Sequence, residues 1–238
     1  MAEFLSSARI VSSRDIPKGV SRPVRLTLTD GTMTHDAAFS TIDERIAIMR
    51  FKTGRVELDF VDSYKHNVAA YRLAVLLGVD DMMPVTVERV WKRERGSLAW
   101  WLDAEWDEEE RRKQKVNPPD PVGWGRQVSR MRVFAQLVAD TDRNLGNILI
   151  SRDWKLCMID FTRAFRRTRD LQESAGLTRC ERQLLARIRA LTKDQVSEAL
   201  YPYVAGAEVD AILARRDRIV AFFEERAAAH GEASAYFD

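Results

Sequence analysis

Asp142 and Asn147 stand five residues apart in the run Ala139-Asp140-Thr141-Asp142-Arg143-Asn144-Leu145-Gly146-Asn147, and Asp160 follows thirteen residues after Asn147 in Met158-Ile159-Asp160-Phe161. Between them, Ile148 to Ser151 and Lys155 to Ile159 read as two short apolar strands around the turn Arg152-Asp153-Trp154. A hairpin this short folds the chain back on itself, so Asn147 and Asp160 come to lie side by side. One amide oxygen and one carboxylate then meet a second carboxylate, Asp142. Asn147 and Asp160 suit a hard cation such as Mg²⁺, which leaves Asp142 free to orient a nucleophile. The plainer alternative is a surface turn rich in Asp and Asn that caps a helix.

Asp-Arg-x-x-x-Asn followed by a hairpin ending in Ile-Asp-Phe resembles the catalytic loop and metal-binding Asp of the protein-kinase-like superfamily. It is most similar to the phosphatidylinositol 3/4-kinase branch and to the Fam20-type atypical kinases of the secretory pathway. The run Asp160-Phe161-Thr162-Arg163-Ala164-Phe165 is also similar to the Asp-x-Gly-Arg-Gly-Phe run of the Fam20 type. The resemblance implies an α+β, two-lobed kinase-like fold that binds ATP and Mg²⁺ between its lobes. Residues 1–104 would form an antiparallel-sheet N-lobe with one helix, and residues 105–238 a mainly helical C-lobe. Asp142 would orient or deprotonate an acceptor hydroxyl, Asn147 and Asp160 would hold the metal, and Arg143 would serve the loop structure or a phosphate.

Composition permits this size of fold. The 238 residues are 45% hydrophobic and 31% charged, enough for one large domain or two small lobes sharing a cleft. A net charge of +2 with no long basic block gives no stripe for nucleic acid. No apolar run approaches membrane-spanning length, and Met1 to Ser13 lacks the layout of a signal peptide. Cys157 sits in an apolar strand and reads as a buried free thiol, while His35, His66 and His230 show no metal-ligand spacing. These features point to a cytoplasmic protein.

Along the chain, Ala2 to Val11 reads as a short helix, and Pro17, Gly19 and Pro23 then break the chain. Val24 to Thr29, Asp36 to Ile42 and Ile46 to Lys52 read as strands, with Asp30-Gly31 as a turn. Asp62 or Ser63 can cap a helix running to Leu77, stopped by Gly78, with Ala69, Leu73, Leu76 and Leu77 on one face. Val85 to Trp91 and Ser97 to Ala104 read as the next strands.

The helix carries a second resemblance. Tyr64 to Leu73, then Leu77-Gly78 and Met83-Pro84-Val85, is similar to the regulatory helix and following strand of Fam20-type proteins. There, a Glu ahead of the apolar-Ala-Ala-aromatic run pairs with a strand lysine. Here Asn67 holds the Glu place and Ser40 the Lys place. Lys52 can instead reach phosphates from the neighbouring position, with Glu57 as its partner, and Lys65 is another candidate. The plainer reading of Lys52 and Glu57 is solvated surface charge.

Leu102, Asp103 and Ala104 fall where a kinase-like chain crosses between lobes, so their backbone groups would face adenine. Asn117 to Pro121 reads as a loop, and Gln127 to Ala139 as a helix with Val128, Met131, Phe134, Leu137 and Val138 inward. Arg163, Arg166, Arg167 and Arg169 form a basic stretch that can receive an acidic or phosphorylated acceptor. From Thr178 the chain reads as helices, with Leu184, Leu185, Ile188 and Leu191 on one face and Gly231 to Asp238 frayed. The function expected is that of an atypical kinase acting on a protein, lipid or small-molecule hydroxyl. A nucleotide-binding pseudokinase scaffold and an AMP-transferase are the alternatives.

Overall fold

The computed structural model describes residues 1–16, 23–51, 54, 56–172 and 174–238. The expected breaks at Pro17 and Gly19 and the strand end at Lys52 lie outside them.

A helix α1 (Ala2–Ser7) is followed by β1 (Arg9–Asp15), β2 (Val24–Thr29), β3 (Thr34–Ser40), β4 (Asp43–Arg50), β5 (Val56–Ser63) and α2 (Tyr64–Leu77). Then come β6 (Thr86–Trp91), β7 (Glu94–Trp100), β8 (Trp106–Asp107), α3 (Glu108–Lys113), α4 (Pro121–Leu137), β9 (Ile148–Ile150) and β10 (Leu156–Met158). The chain ends with β11 (Cys180–Glu181), α5 (Arg182–Ala190), α6 (Lys193–Leu200), α7 (Gly206–His230), α8 (Glu232–Ala235) and β12 (Tyr236–Phe237). An antiparallel sheet in the order β1-β2-β3-β7-β6 heads the molecule, and β4–β5 forms a separate two-stranded ribbon. This is the two-lobed α+β arrangement that the resemblance implies.

Two apolar clusters hold it together. The smaller packs Phe4, Leu5 and Ala8 of α1 on Leu26, Leu28, Phe39 and Leu98 of the sheet. The larger joins α2, α4, the β9–β10 hairpin and α5 to α7. Helix α2 is expected in the N-lobe, yet Ala69, Ala70, Leu73, Ala74 and Leu77 are buried in the larger cluster. Its small residues allow that close approach, which seats the helix between sheet and helical core. Ser63 caps it by accepting from the Lys65 N–H at 3.3 Å, and Gly78 ends it at φ +64°, a conformation that suits glycine.

Several expectations need correcting. The N-terminal helix stops at Ser7, because Ile10 to Asp15 pair with β2 as a strand. Helix α4 starts at Pro121, since Asp120 caps it by accepting from Val122 and Gly123 N–H and proline tolerates the first turn. The C-terminal end is docked rather than frayed. β12 pairs in parallel with β11, Arg179 holds the Tyr236 carbonyl at 2.6 Å, and Phe237 is buried.

Candidate active site

The hairpin of β9 and β10 places the central residues. Ile148 pairs with Met158, and the Ile159 N–H donates to the Asn147 carbonyl at 3.1 Å. Asn147 therefore lies across from Ile159, one residue from Asp160. The Asn147 Nδ2 donates to the Asp142 carbonyl at 3.1 Å, so its amide nitrogen is committed to the loop. Its Oδ1 makes no hydrogen bond among the described residues.

Arg143 ties these pieces together. Its guanidinium donates to Asp140 at 2.8 Å, to the Asn147 carbonyl at 2.9 Å, to the Ile159 carbonyl at 2.6 Å and to the Asp160 carbonyl at 3.3 Å. It also lies over the Phe161 ring, 4.2 Å from its centroid. With its donors spent on the protein, Arg143 is a positioning residue of the loop. A phosphate-binding role does not fit that geometry.

Asp160 adopts φ +57°, an uncommon conformation for a non-glycine residue. Its Oδ1 accepts from the Thr162 hydroxyl at 2.9 Å. The next two residues are gripped from α2 and the residue before it. The Phe161 N–H donates to Asn67 Oδ1 at 2.7 Å, and the Thr162 carbonyl accepts from the Ser63 N–H at 2.9 Å and from His66 Nδ1 at 3.0 Å. Burial pushes the His66 imidazole down to about 4, so it is neutral with its proton on Nδ1.

Asp142 keeps a half-open carboxylate, with Arg163 at 3.7 Å. Burial lifts its carboxyl above the ordinary range; Arg163 opposes the shift, and the charges of Asp160 and Asp140 add to it. Asp62 of β5 is a further acid that spacing did not reveal. Burial and the neighbouring Asp160 charge raise its carboxyl while the Thr162 hydroxyl opposes this, and its buried Oδ1 has no hydrogen-bond partner.

The donor set fits a hard divalent cation. Asn147 Oδ1 and the Asp160 carboxylate are hard oxygen donors of the kind such a cation takes, and the orphaned Asp62 oxygen lies close enough to feel the Asp160 charge. Among the described residues no group of three or more His, Cys, Asp and Glu could hold a metal alone. Two side-chain oxygens completed by phosphate oxygens and water are what Mg²⁺ ordinarily accepts.

The other expected residues fare differently. Leu102, Asp103 and Ala104 form the irregular connector between β7 and β8. The Trp101 N–H, bound to the Asp36 carbonyl at 3.0 Å, and the Glu105 N–H, bound to the Ile150 carbonyl at 2.8 Å, anchor its ends. Backbone groups of the three residues make no hydrogen bond among the described residues. Lys52 lies outside the described residues. Lys65 pairs with Asp43 at 2.7 Å. Glu57, expected in solvent or beside Lys52, is buried against Arg163 at 3.0 Å and against Arg166. Arg167 bonds Glu208 at 2.7 Å. The basic stretch is thus largely matched by carboxylates of β5 and α7, which weakens its case as a receiver of acidic acceptors. The partners come from elements far along the chain, beyond the reach of local pattern.

Compared by sequence, the chain matches no protein-family model and no curated protein. Compared by structure, it is similar to hydra Fam20 solved with sugar, with a TM-score of 0.69 at 14% identity over 99% of this chain and 90% of that one. It is also similar to the Golgi casein kinase with Mn/ADP bound, with a TM-score of 0.67 at 13% identity over 99% of this chain and 77% of that one. The Helicobacter pylori proinflammatory kinase CtkA gives 0.56 at 8% identity over 90% and 92% of the two chains. The fold is that of the atypical protein kinases. More narrowly, it is similar to the Fam20 arrangement along nearly its whole length.

Proposed function

We propose that this protein is an ATP- and Mg²⁺-dependent phosphotransferase of the atypical kinase type. What supports the reading is that Arg143 ties the loop of Asp142 and Asn147 to the Asp160 carbonyl, with Asn147 Oδ1 left for a ligand and the Asp142 carboxylate half-open beside Arg163. Asp142 orients the acceptor hydroxyl and receives its proton, and its raised carboxyl suits a base working nearer neutral pH. Asn147 and Asp160 hold the metal, which supplies neutralisation of the phosphate charge when bound. The connector Leu102 to Ala104 offers free N–H and C=O groups to the adenine edge. The Golgi casein kinase, similar in fold, was solved with Mn/ADP bound, which supports a nucleotide and a divalent cation here.

Ser40 and Asn67, standing where an ion pair is expected, favour a second reading as a nucleotide-binding pseudokinase. Incubation with ATP and Mg²⁺ and candidate hydroxyl acceptors, followed by mass spectrometry, separates the readings: phosphate added, AMP added, or neither. Binding without transfer to any acceptor class identifies the scaffold. No nucleotide binding at millimolar concentration overturns both.

The acceptor is a hydroxyl of unassigned class. We place the protein in the cytoplasm, a reading supported by Cys157 and Cys180 standing as free thiols. No helix among the described residues is long and apolar enough to cross a membrane.

A further inference from the structure

We infer that Asn67 is a neutral clamp that positions Asp160 and links it to the N-terminal sheet, replacing a charged pair by two hydrogen bonds. The inference rests on the metal site assigned above. Asn67 Oδ1 accepts from the Phe161 N–H at 2.7 Å, and its Nδ2 donates to Ser97 Oγ at 3.3 Å. The Phe161 N–H can only donate, which fixes the orientation of the amide. Ser97 is buried on β7 and is the cross-strand partner of Ser40 on β3. One side chain therefore spans from the turn after Asp160 to the sheet strand that pairs with Ser40.

Three features make this a positioning device. Asp160 sits at φ +57°, so its backbone needs outside contacts to stay there. Arg143 holds the Ile159 carbonyl ahead of that residue, and after it Arg143 and Asn67 hold the two ends of one peptide group, the Asp160 carbonyl and the Phe161 N–H. Asn is also a poor helix-interior residue, and its place in the first turns of α2 is explained by these two bonds. A carboxylate here could accept from Phe161 but would bring a second negative charge towards Asp160. The amide provides the same acceptor without that repulsion, so no lysine on β3 is needed to neutralise it. Ser40 in the lysine place agrees with a neutral link.

The test compares Asn67→Leu, which loses both bonds, with Asn67→Asp, which keeps the acceptor for Phe161. Amide hydrogen exchange at Phe161 is read against the amides of β2. Asn67→Leu is expected to speed Phe161 exchange about tenfold, the equivalent of one hydrogen bond, whereas Asn67→Asp stays within about threefold of wild type. Equal acceleration in both variants, or none in Asn67→Leu, overturns the clamp. ADP affinity with and without Mn²⁺ gives the second readout. The Leu variant is expected to weaken the Mn²⁺-dependent part about tenfold while metal-free ADP binding changes less than about twofold. Equal loss with and without Mn²⁺ means that Asn67 serves the fold alone and refutes the inference. If Asn67→Leu does not fold, Ser97→Ala replaces it and is expected to weaken only the Mn²⁺-dependent ADP binding; unchanged binding refutes the link to the sheet. If wild-type protein binds no ADP at all, the proposed function fails, and the clamp is judged on Phe161 exchange alone.

Discussion

Glu57 is a buried carboxylate shared by two arginines, so its charge is a sensitive point of the fold. The Glu57 side chain is 9% exposed, and those of Arg163 and Arg166 are 13% and 11%. Glu57→Gln keeps the shape and removes the charge, which leaves two guanidinium groups poorly solvated beside each other. Breaking a buried pair in this way costs about 3–5 kcal/mol. With a urea slope of roughly 3 kcal/mol per molar for a chain of this size, the unfolding midpoint should fall by about 1–1.7 M. Replacing all three ions, as Glu57→Leu with Arg163→Met and Arg166→Met, should lose less than the single change, because no charge is then stranded. The assay is urea denaturation followed by far-ultraviolet circular dichroism. A midpoint shift below about 0.3 M for Glu57→Gln, or a triple variant worse than the single, would refute the reasoning. Since Arg163 also lies 3.7 Å from Asp142, Glu57→Gln should disturb transfer more than nucleotide affinity.

Three further outcomes are expected. Asp160→Ala should abolish the Mg²⁺-dependent rise in melting temperature with ATP, while Asp142→Asn should keep it and lose transfer; equal loss of binding in both would make Asp142 a metal ligand. His66 is depressed to about 4 in the fold, so between about 4 and 6.5 the unfolded chain binds the extra proton. Stability is then full above pH 6.5 and falls by up to about 3 kcal/mol towards pH 4, a slope that His66→Gln should flatten in urea titrations. Gly78→Ala should destabilise by about 1 kcal/mol, because φ is +64°, a left-handed conformation that costs an L side chain; an unchanged thermal midpoint would contradict this.

The sequence by itself determined the elements whose causes are local. Asn147 reaches the neighbourhood of Asp160 through a hairpin only a few residues long, and closing so short a loop restricts little chain. Ser63 and Gly78 bracket α2 through contacts within a turn of the helix ends, so residue type marks Gly78 and narrows the cap to Asp62 or Ser63. The fold class followed from that loop and helix together with their resemblance to known kinases. Other features depended on which distant surfaces meet. Phe161 finds Asn67 across 94 residues, and Arg163 finds Glu57 across 106. No periodicity distinguishes Glu57 from a solvated strand residue, because its burial is created by the 163–166 segment folding over it. The same holds for Asp62, whose orphaned oxygen acquires meaning only when Thr162 and Asp160 arrive beside it. Arg143 shows the division within one residue: its place in the loop is local, but its role was decided by the carbonyls of Ile159 and Asp160 that close around it. Hydrogen-bond donors take the acceptors that packing presents, and packing of remote elements is a property of the whole chain.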